Sequence, residues 1–216
     1  MRAIIVAGGK GDQNEDWQRW VQEGDLILGA DGGAAQAQSW GLGVDVVIGD
    51  MDSLAEADRT ALARRGIRFI EHPRAKDETD LELALTYAVE AGAQEIVILA
   101  ALGGRLDHTL GNVLLLTLPL LVGIPTRIVS DGQEALVARS GEALQVEGQP
   151  GDLVSLLPLG GDVRAVTTTG LAWALQGDTL CFGSSRGISN EMTAASARIQ
   201  IGEGVLLVVH GPAPNG

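Results

Sequence analysis

Residues 44–53 read VDVVIGDMDS, a short apolar run that ends in a glycine and two aspartates. The β-branched run 44–48 predicts a buried strand. Runs of the same kind recur through the first part of the chain, at residues 3–7, 26–28, 67–70, 96–101 and 126–129. In sheets built of such strands, ligands bind at the carboxyl ends. The aspartates after residue 48 therefore stand where a ligand is expected.

Helical patterns lie between these runs. Apolar residues recur at helical spacing in two sets, Trp17, Trp20 and Val21, and Leu81, Leu85, Ala88 and Val89. Residues 56–65 are typical of a surface helix that ends at Gly66. This alternation predicts an α/β fold, in which flanking helices cover a mostly parallel, Rossmann-like sheet.

The pattern changes near residue 131. The remaining apolar runs are short and strand-like, and Gly, Pro, Asp and Ser separate them, at residues 135–138, 153–157, 163–168, 197–201 and 204–210. This spacing predicts an all-β sandwich. We therefore expect two domains, an α/β domain over residues 1–131 and a β-sandwich over residues 132–216.

The composition narrows the function classes. The 216 residues include 15 Lys and Arg against 28 Asp and Glu, so the formal net charge is −13. Binding to nucleic acid or to an anionic membrane requires a basic face, and we expect neither partner. A small anionic ligand stays compatible with this charge, because a bound divalent cation reverses the local field.

The cysteine count and the apolar runs bear on the cell compartment. The single cysteine, Cys181, excludes an internal disulfide framework and a cysteine-built zinc site, and its strand-like context predicts a buried thiol. The N-terminal apolar run is too short for a signal peptide. The run 113–122 is too short to span a bilayer, which takes about 20 residues. We expect a cytoplasmic protein.

Asp50 and Asp52 form the sharpest polar cluster. Their i, i+2 spacing in an extended segment puts both carboxylates on one side. Like charges held close together repel, and a hard cation such as Mg²⁺, which prefers oxygen ligands, removes that cost. The alternative is a solvated acidic loop in which Asp52 or Ser53 caps the next helix.

Other clusters also follow predicted strands or open predicted helices. Asp31, in ADGGA (30–34), either caps a helix or serves the site. AGGK (7–10) is either a tight turn or a close backbone approach to phosphate. In KDETD (76–80), Thr79 and Glu82 fit a capping box, which leaves Lys76, Asp77 and Asp80 unexplained.

The segment GGRLDHTLGN (103–112) completes the set. Arg105 offers a planar fork suited to phosphate, and Asp107 is placed to cap a helix. His108 is either a ligand contact or a structural hydrogen bonder. Together the clusters predict a site for a polyphosphate and Mg²⁺, in which carboxylates hold the metal and Arg and Lys neutralise the remaining charge.

These motifs, in this order, resemble the thiamine pyrophosphokinase (thiamine diphosphokinase) family. The resemblance rests on ADGGA, GDMDS (49–53), KDETD, GGRLDHTLGN, LAWAL (171–175) and GISNE (187–191). It implies an α/β nucleotide-binding domain, a C-terminal β-sandwich, and a homodimer with sites between subunits. It also implies transfer of the pyrophosphoryl group of ATP to the hydroxyl of thiamine, giving thiamine diphosphate and AMP.

The resemblance also implies roles for individual residues. Metal ligands would be Asp50, Asp52 and Asp80, with Asp31 and Asp77 close by. Residues at the ATP site would be Lys76, Arg105, Asp107, His108 and Asn112. Trp173 would stack on thiamine, and Ser189 and Asn190 would contact its pyrimidine. An aromatic face attracts the cationic thiazolium ring, although a tryptophan in this position, taken in isolation, is more typical of a sandwich core.

Three questions stay open at this point. Asp77 and Asp31 are both candidates to accept the hydroxyl proton of thiamine. The acceptor is alternatively a hydroxymethylpterin, the substrate of a related type of diphosphokinase. The scaffold is alternatively a non-enzymatic nucleotide or thiamine sensor, although mere binding would not need every carboxylate.

Overall fold

The computed structural model describes residues 1–10 and 16–213, which fall into two compact units, Met1–Asp131 and Gly132–Gly216. The first unit alternates strands and helices. Its strands are β1 (Arg2–Val6), β2 (Leu26–Ala30), β3 (Val46–Gly49), β4 (Arg68–Glu71), β5 (Glu95–Leu99) and β6 (Thr126–Ser130). Its helices are α1 (Gly33–Ser39), α2 (Glu56–Arg64), α3 (Asp80–Glu90) and α4 (Leu106–Leu115).

The six strands of the first unit form one parallel array in the order β4-β3-β2-β1-β5-β6. The central strands β1, β3 and β5 are almost wholly buried, as expected for parallel strands covered by helices. The predicted α/β fold with a parallel sheet is confirmed. All six strand carboxyl ends lie at the same edge, and this edge carries the polar clusters.

A glycine lets α1 begin directly against β1. A Cβ added at Gly33 would lie 2.0 Å from the carbonyl oxygen of Val6, closer than any side chain tolerates. The ADGGA segment therefore has a packing reason for its second glycine. This close approach brings the start of α1 next to the end of β1.

The helix predicted around Trp17 is wrong in kind, because Trp17–Trp20 is a single 3₁₀ turn that ends at the extended residue Val21. The i, i+3 spacing of its two tryptophans fits three residues per turn as well as it fits an α-helix. Trp17 is buried and stacks on Trp40 with ring centroids 4.4 Å apart. Both residues serve packing.

The second unit is entirely β within its described residues. Its strands are β7 (Gln133–Arg139), β8 (Ala143–Glu147), β9 (Leu153–Pro158), β10 (Val163–Thr169), β11 (Gln176–Leu180), β12 (Asn190–Glu191), β13 (Ser196–Gln200) and β14 (Val205–Gly211). They pair antiparallel in the orders β12-β9-β14-β7 and β11-β10-β13-β8. One buried cluster takes side chains from both sets of strands, so the predicted β-sandwich is confirmed.

Three strands of the sandwich, β8, β11 and β12, were not predicted from the apolar runs. All three lie at sheet edges, and β11 has a mostly exposed, polar sequence, QGDTL. An edge strand buries little apolar surface, so hydrophobic periodicity does not mark it.

Across residues 1–10 and 16–213, every helix is too short or too polar to cross a membrane.

Candidate active site

The loops that follow β1, β2 and β3 open onto a cavity of about 350 Å³. The start of α3 and one side of α4 complete its wall. The sequence-predicted residues in the lining are Asp31, Lys76, Asp80, His108 and Asn112. The structure therefore gathers these side chains from three separate sequence clusters at one edge of the sheet, as the strand topology requires.

Asp31 is buried at the end of β2, with 4% of its surface exposed. Its Oδ2 accepts a hydrogen bond of 2.9 Å from the backbone N–H of Ser53. It does not cap α1, whose N-cap is Gly32 without a side-chain bond. Within the described part of the chain, Asp31 Oδ1 is buried and has no hydrogen-bond partner. A buried, unsatisfied carboxylate oxygen is costly, and a ligand offsets that cost.

Electrostatics make the Asp31 carboxylate harder to charge. Burial raises its pKa, and the nearby charges of Asp80 and Asp50 raise it further, against the hydrogen bonds from Ser53. Carboxylates crowded in this way favour either a proton or a cation.

The GDMDS loop is organised by its own hydrogen bonds. Met51 has a left-handed backbone (φ 62°) while its side chain is buried in the core. The N–H of Asp52 donates to Asp50 Oδ1 at 3.1 Å, and the Ser53 hydroxyl donates to Asp52 Oδ1 at 3.0 Å. Neither Asp52 nor Ser53 caps α2, because its N-cap is Ala55. The turn at Met51 thus keeps both aspartates at the strand end.

Asp31, Asp50 and Asp52 each offer a carboxylate oxygen, and these three oxygens lie within 4.8 Å of one another. Oxygen donors at this spacing fit a hard divalent cation such as Mg²⁺. Asp31 Oδ1, which has no hydrogen-bond partner among residues 1–10 and 16–213, supports the same fit. We call these three residues the acidic cluster.

Gly49 makes room for a fourth carboxylate. A Cβ there would lie 2.8 Å from Asp80 Oδ1 and 3.0 Å from the Cβ of Asp31. The φ angle of Gly49 is +148°, a backbone conformation that other residues rarely adopt. Only glycine lets Asp80 approach the strand end this closely.

Lys76 neutralises part of this negative charge. Its ammonium lies 2.5 Å from Asp80 Oδ1 and 3.6 Å from Asp50 Oδ2, and its side chain is only 11% exposed. Burial opposes charging of the amine, but the two carboxylates outweigh it and raise the pKa of Lys76. Thr79 caps α3 by accepting from the N–H of Glu82, as predicted, so the capping and charged residues of KDETD have separate tasks.

The predicted ATP residues on α4 divide into two groups. His108 and Asn112 line the cavity, and the Asn112 amide donates to the carbonyl of Ala101 at 2.7 Å. Arg105 and Asp107 do not line it. They pair with each other at 2.6 Å on the surface, and the guanidinium lowers the pKa of Asp107 to about 2. Asp77 is also exposed and outside the lining.

Two of the predicted thiamine residues are joined by hydrogen bonds in the second unit. The indole of Trp173 is 61% exposed, so it is not core. The side chain of buried Asn190 accepts from the N–H of Trp173 at 3.0 Å and donates to its carbonyl at 2.8 Å. Asn190 therefore fixes the loop that presents the indole. Ser189 is exposed, and its N–H donates to Ser155 Oγ at 3.1 Å.

The predicted burial of Cys181 is wrong, and Arg74 is a charged cavity residue that lies outside the motifs quoted above. Cys181 is exposed, because the chain leaves β11 at Leu180 before it reaches the thiol. Arg74 lines the cavity and pairs with Asp52 at 2.9 Å. Its position two residues before Lys76 could have indicated that it lies at the site. A single arginine in a loop, however, forms no pattern that predicts a function.

Family comparisons match both units. The family described as thiamin pyrophosphokinase, catalytic domain, matches residues 17–126, which is more than half of the chain. The chain belongs to the thiamin pyrophosphokinase family. A second family, described as "thiamin pyrophosphokinase, vitamin B1 binding domain", matches residues 143–206 within the sandwich.

Individual relatives agree with this family. Thiamine pyrophosphokinase of Bacillus subtilis (strain 168) is 29% identical over 205 residues, which cover 95% of this chain and 96% of that protein. The match to thiamine pyrophosphokinase 1 of Arabidopsis thaliana is 30% identical over 158 residues, 68% of this chain and 57% of that protein.

Solved structures show the same fold. The thiamine pyrophosphokinase structure from Bacillus subtilis superposes with a TM-score of 0.89 at 27% identity, over 98% of this chain and 99% of that one. The structure from Geobacillus thermodenitrificans gives a TM-score of 0.87 at 29% identity, over 100% and 99%. The yeast structure, at 14% identity, has a TM-score of 0.82 over 97% of this chain and 86% of that one, and shows the shared fold alone.

Proposed function

We propose that the protein is a thiamine diphosphokinase, which transfers the pyrophosphoryl group of ATP to the hydroxyl of thiamine. The bond from the hydroxyl oxygen to the β-phosphorus forms, the bond from the β-phosphorus to the α,β-bridging oxygen breaks, and AMP leaves. The observation that carries this proposal is the convergence of three carboxylates at the strand ends of a member of this family. Transfer of this kind depends mainly on positioning and on charge stabilisation.

The carboxylates of the site hold Mg²⁺ in this proposal. Asp50, Asp52 and Asp80 are the ligands expected from the sequence, and the position of Asp31 adds its unpartnered oxygen to them. When bound, Mg²⁺ supplies positive charge that offsets the negative charge of the phosphates. Lys76 contributes a further positive charge at the cavity wall.

The remaining predicted residues position the two substrates. In this proposal the nucleotide is contacted by His108 and Asn112, which line the cavity, and by Arg105 and Asp107 at the start of α4. Trp173 stacks on thiamine, with Ser189 and Asn190 at its pyrimidine. Of the two carboxylates considered for the hydroxyl proton, Asp31 lines the cavity and Asp77 is exposed outside it.

The acceptor is tested by measuring AMP release from Mg·ATP with thiamine and, separately, with a hydroxymethylpterin. We expect AMP to form in step with thiamine diphosphate and the pterin to be inactive. Activity on the pterin alone would overturn the proposed substrate. Tight binding of ATP and thiamine without any AMP would indicate a sensor instead of an enzyme.

We also propose that the enzyme works as a homodimer in the cytoplasm. The dimer is expected from the family, and the cytoplasmic location agrees with a chain that has one cysteine. Light scattering at assay concentration should give about twice the chain mass of 22.4 kDa. The mass of a single chain would contradict the dimer.

A further inference from the structure

The positive charges that line the cavity differ in how firmly they are held. Among the described residues, the lysine and arginine side chains in the lining are Lys76 and Arg74. Lys76 is 11% exposed and lies against two carboxylates. The Arg74 side chain is 73% exposed, and its Nη2 pairs with Asp52 Oδ2 at 2.9 Å. Exposed ion pairs contribute little to stability, so Arg74 can exchange its partner at low cost.

The partner of Arg74 is a member of the acidic cluster. Asp52 is also its most exposed member, and the hydrogen bond from the Ser53 hydroxyl lowers its pKa, with a smaller contribution from Arg74. A cation bound by the acidic cluster would compete with Arg74 for Asp52. A guanidinium carries five N–H donors in a planar fork that matches phosphate oxygens. Once released from Asp52, Arg74 therefore has the geometry to bind a phosphate group in the cavity that it already lines.

We propose that Arg74 is a metal-linked phosphate-binding residue. It neutralises Asp52 while no divalent cation is bound, and it turns to the polyphosphate of the nucleotide when a cation takes Asp52. The inference rests on the proposed function for the identity of the phosphate ligand. It adds Arg74, which lines the cavity, to the predicted Arg105, which does not, as an arginine that contacts phosphate.

This role predicts two effects of opposite sign in one variant. Replacing Arg74 by glutamine removes the competitor for Asp52, so a divalent cation alone should bind more tightly. The same change removes a charge-assisted hydrogen bond to phosphate, so Mg·ATP should bind more weakly. Arg74→Lys keeps the charge without the fork and should fall between. An ion pair without a phosphate role would also tighten cation binding when it is removed, but it would not weaken Mg·ATP binding.

The test measures binding to the full chain without thiamine, so that no turnover occurs. Mn²⁺ alone is titrated by electron paramagnetic resonance, and Mg·ATP by calorimetry. We expect Arg74→Gln to bind Mn²⁺ about three-fold more tightly and Mg·ATP about ten-fold more weakly, the latter as one charge-assisted hydrogen bond requires. Arg65→Gln, at an exposed arginine that ends α2 away from the cavity, is the matched control and should change neither affinity.

The outcomes separate this inference from the proposed function. If the wild-type protein binds Mg·ATP and Arg74→Gln binds it equally well, the role of Arg74 is wrong and the proposed function is untouched. A loss of Mg·ATP affinity in Arg105→Gln alone would assign the phosphate contact to Arg105 and overturn the inference. A wild-type protein that does not bind Mg·ATP would overturn the proposed function and the inference with it.

Discussion

The acidic cluster and the Trp173 loop (residues 170–175, between β10 and β11) are both proposed to hold substrate, but they are built on different physical principles. The acidic cluster crowds charges at the strand ends, where Asp31 is buried and one of its oxygens is unpartnered within the described residues. Trp173 instead presents a 61% exposed indole on a loop held by Asn190. The acidic cluster lowers the stability of the folded protein until a cation binds. The exposed indole lowers stability little, and its position depends on a fixed loop.

The backbone shows the same contrast. Asp31, Met51 and Ala100, which follow β2, β3 and β5, have left-handed φ angles of 45°, 62° and 53°. Such conformations cost about 1 kcal/mol or more each in residues other than glycine. Strain therefore occurs together with crowded charge at this sheet edge, whereas the loop that carries Trp173 is held by hydrogen bonds from Asn190, beside one left-handed residue, Ser189 (φ 59°). We expect substitutions in the acidic cluster to affect metal, stability and catalysis together.

The largest expected effect comes from removing one charge of the acidic cluster. Asp52→Asn should lower kcat by about 100-fold or more at saturating Mg²⁺, since it weakens a preorganised electrostatic site. Steady-state AMP formation measures the effect. Asp58→Asn, the same change of charge in the first turn of α2, should keep near-normal turnover. Near-normal turnover of Asp52→Asn itself would show that the metal assignment is wrong.

Two tryptophans test whether the Trp173 loop is functional surface. Trp173→Ala should raise the KM for thiamine about ten-fold or more through lost stacking and cation–π attraction, with little change in thermal stability. Trp17→Ala, at a buried and stacked indole, should instead cost about 3–5 kcal/mol of unfolding free energy. Kinetics and denaturant unfolding on both variants give the comparison. A stability loss for Trp173→Ala that matches that of Trp17→Ala would make Trp173 a packing residue.

A glycine pair tests how tightly the strand ends are built. Gly49→Ala should destabilise the protein by about 2–3 kcal/mol, because strain adds to a contact with the Asp80 carboxylate, and it should weaken Mg²⁺ binding. Gly66→Ala also changes a glycine of positive φ, but it has open space around it and should cost only about 1 kcal/mol. Urea unfolding with and without Mg²⁺ distinguishes them. Equal losses of unfolding free energy in the two variants would show that the close approach of Asp80 to Gly49 does not matter for stability.

The smallest expected effect is a gain of stability, whereas the variants above lose activity or stability. The folded-state pKa of Asp31 is raised, so charging it costs stability above that pKa, and the cost disappears as pH falls through it. Asp31→Asn should therefore stabilise the metal-free protein by about 1 kcal/mol at pH 7, or about 2–4 °C in Tm. The gain should shrink on acidification.

Mg²⁺ should stabilise the wild-type protein more than Asp31→Asn in the same thermal scans. A variant that is less stable than the wild-type protein at pH 7 without metal would contradict this electrostatic account of Asp31.

Much of the site could be predicted from the sequence where strand topology alone decides position. Asp31 and Asp50 follow strands that are neighbours in a parallel sheet, so their convergence requires no knowledge of side-chain packing. The i, i+2 spacing of Asp50 and Asp52 likewise predicts that their carboxylates lie close together. The turn that joins them, however, depends on the left-handed backbone of Met51.

The rest depends on three-dimensional choices that local patterns do not encode. Arg105 was expected at the phosphates, yet it is exposed and pairs with Asp107 two residues away. Arg74 lines the cavity but carries no sequence signal beyond its type. Lys76 was expected at the ATP site, and its pairing with Asp80 and Asp50 follows from tertiary geometry that the sequence does not encode.

The most direct test of the account is product analysis by ³¹P NMR after incubation of the protein with thiamine and Mg·ATP. Pyrophosphoryl transfer predicts AMP and thiamine diphosphate in equal amounts, and no product when Mg²⁺ is removed by chelation. Formation of ADP with thiamine monophosphate, or equal product without any divalent cation, would contradict the proposed reaction at the acidic cluster.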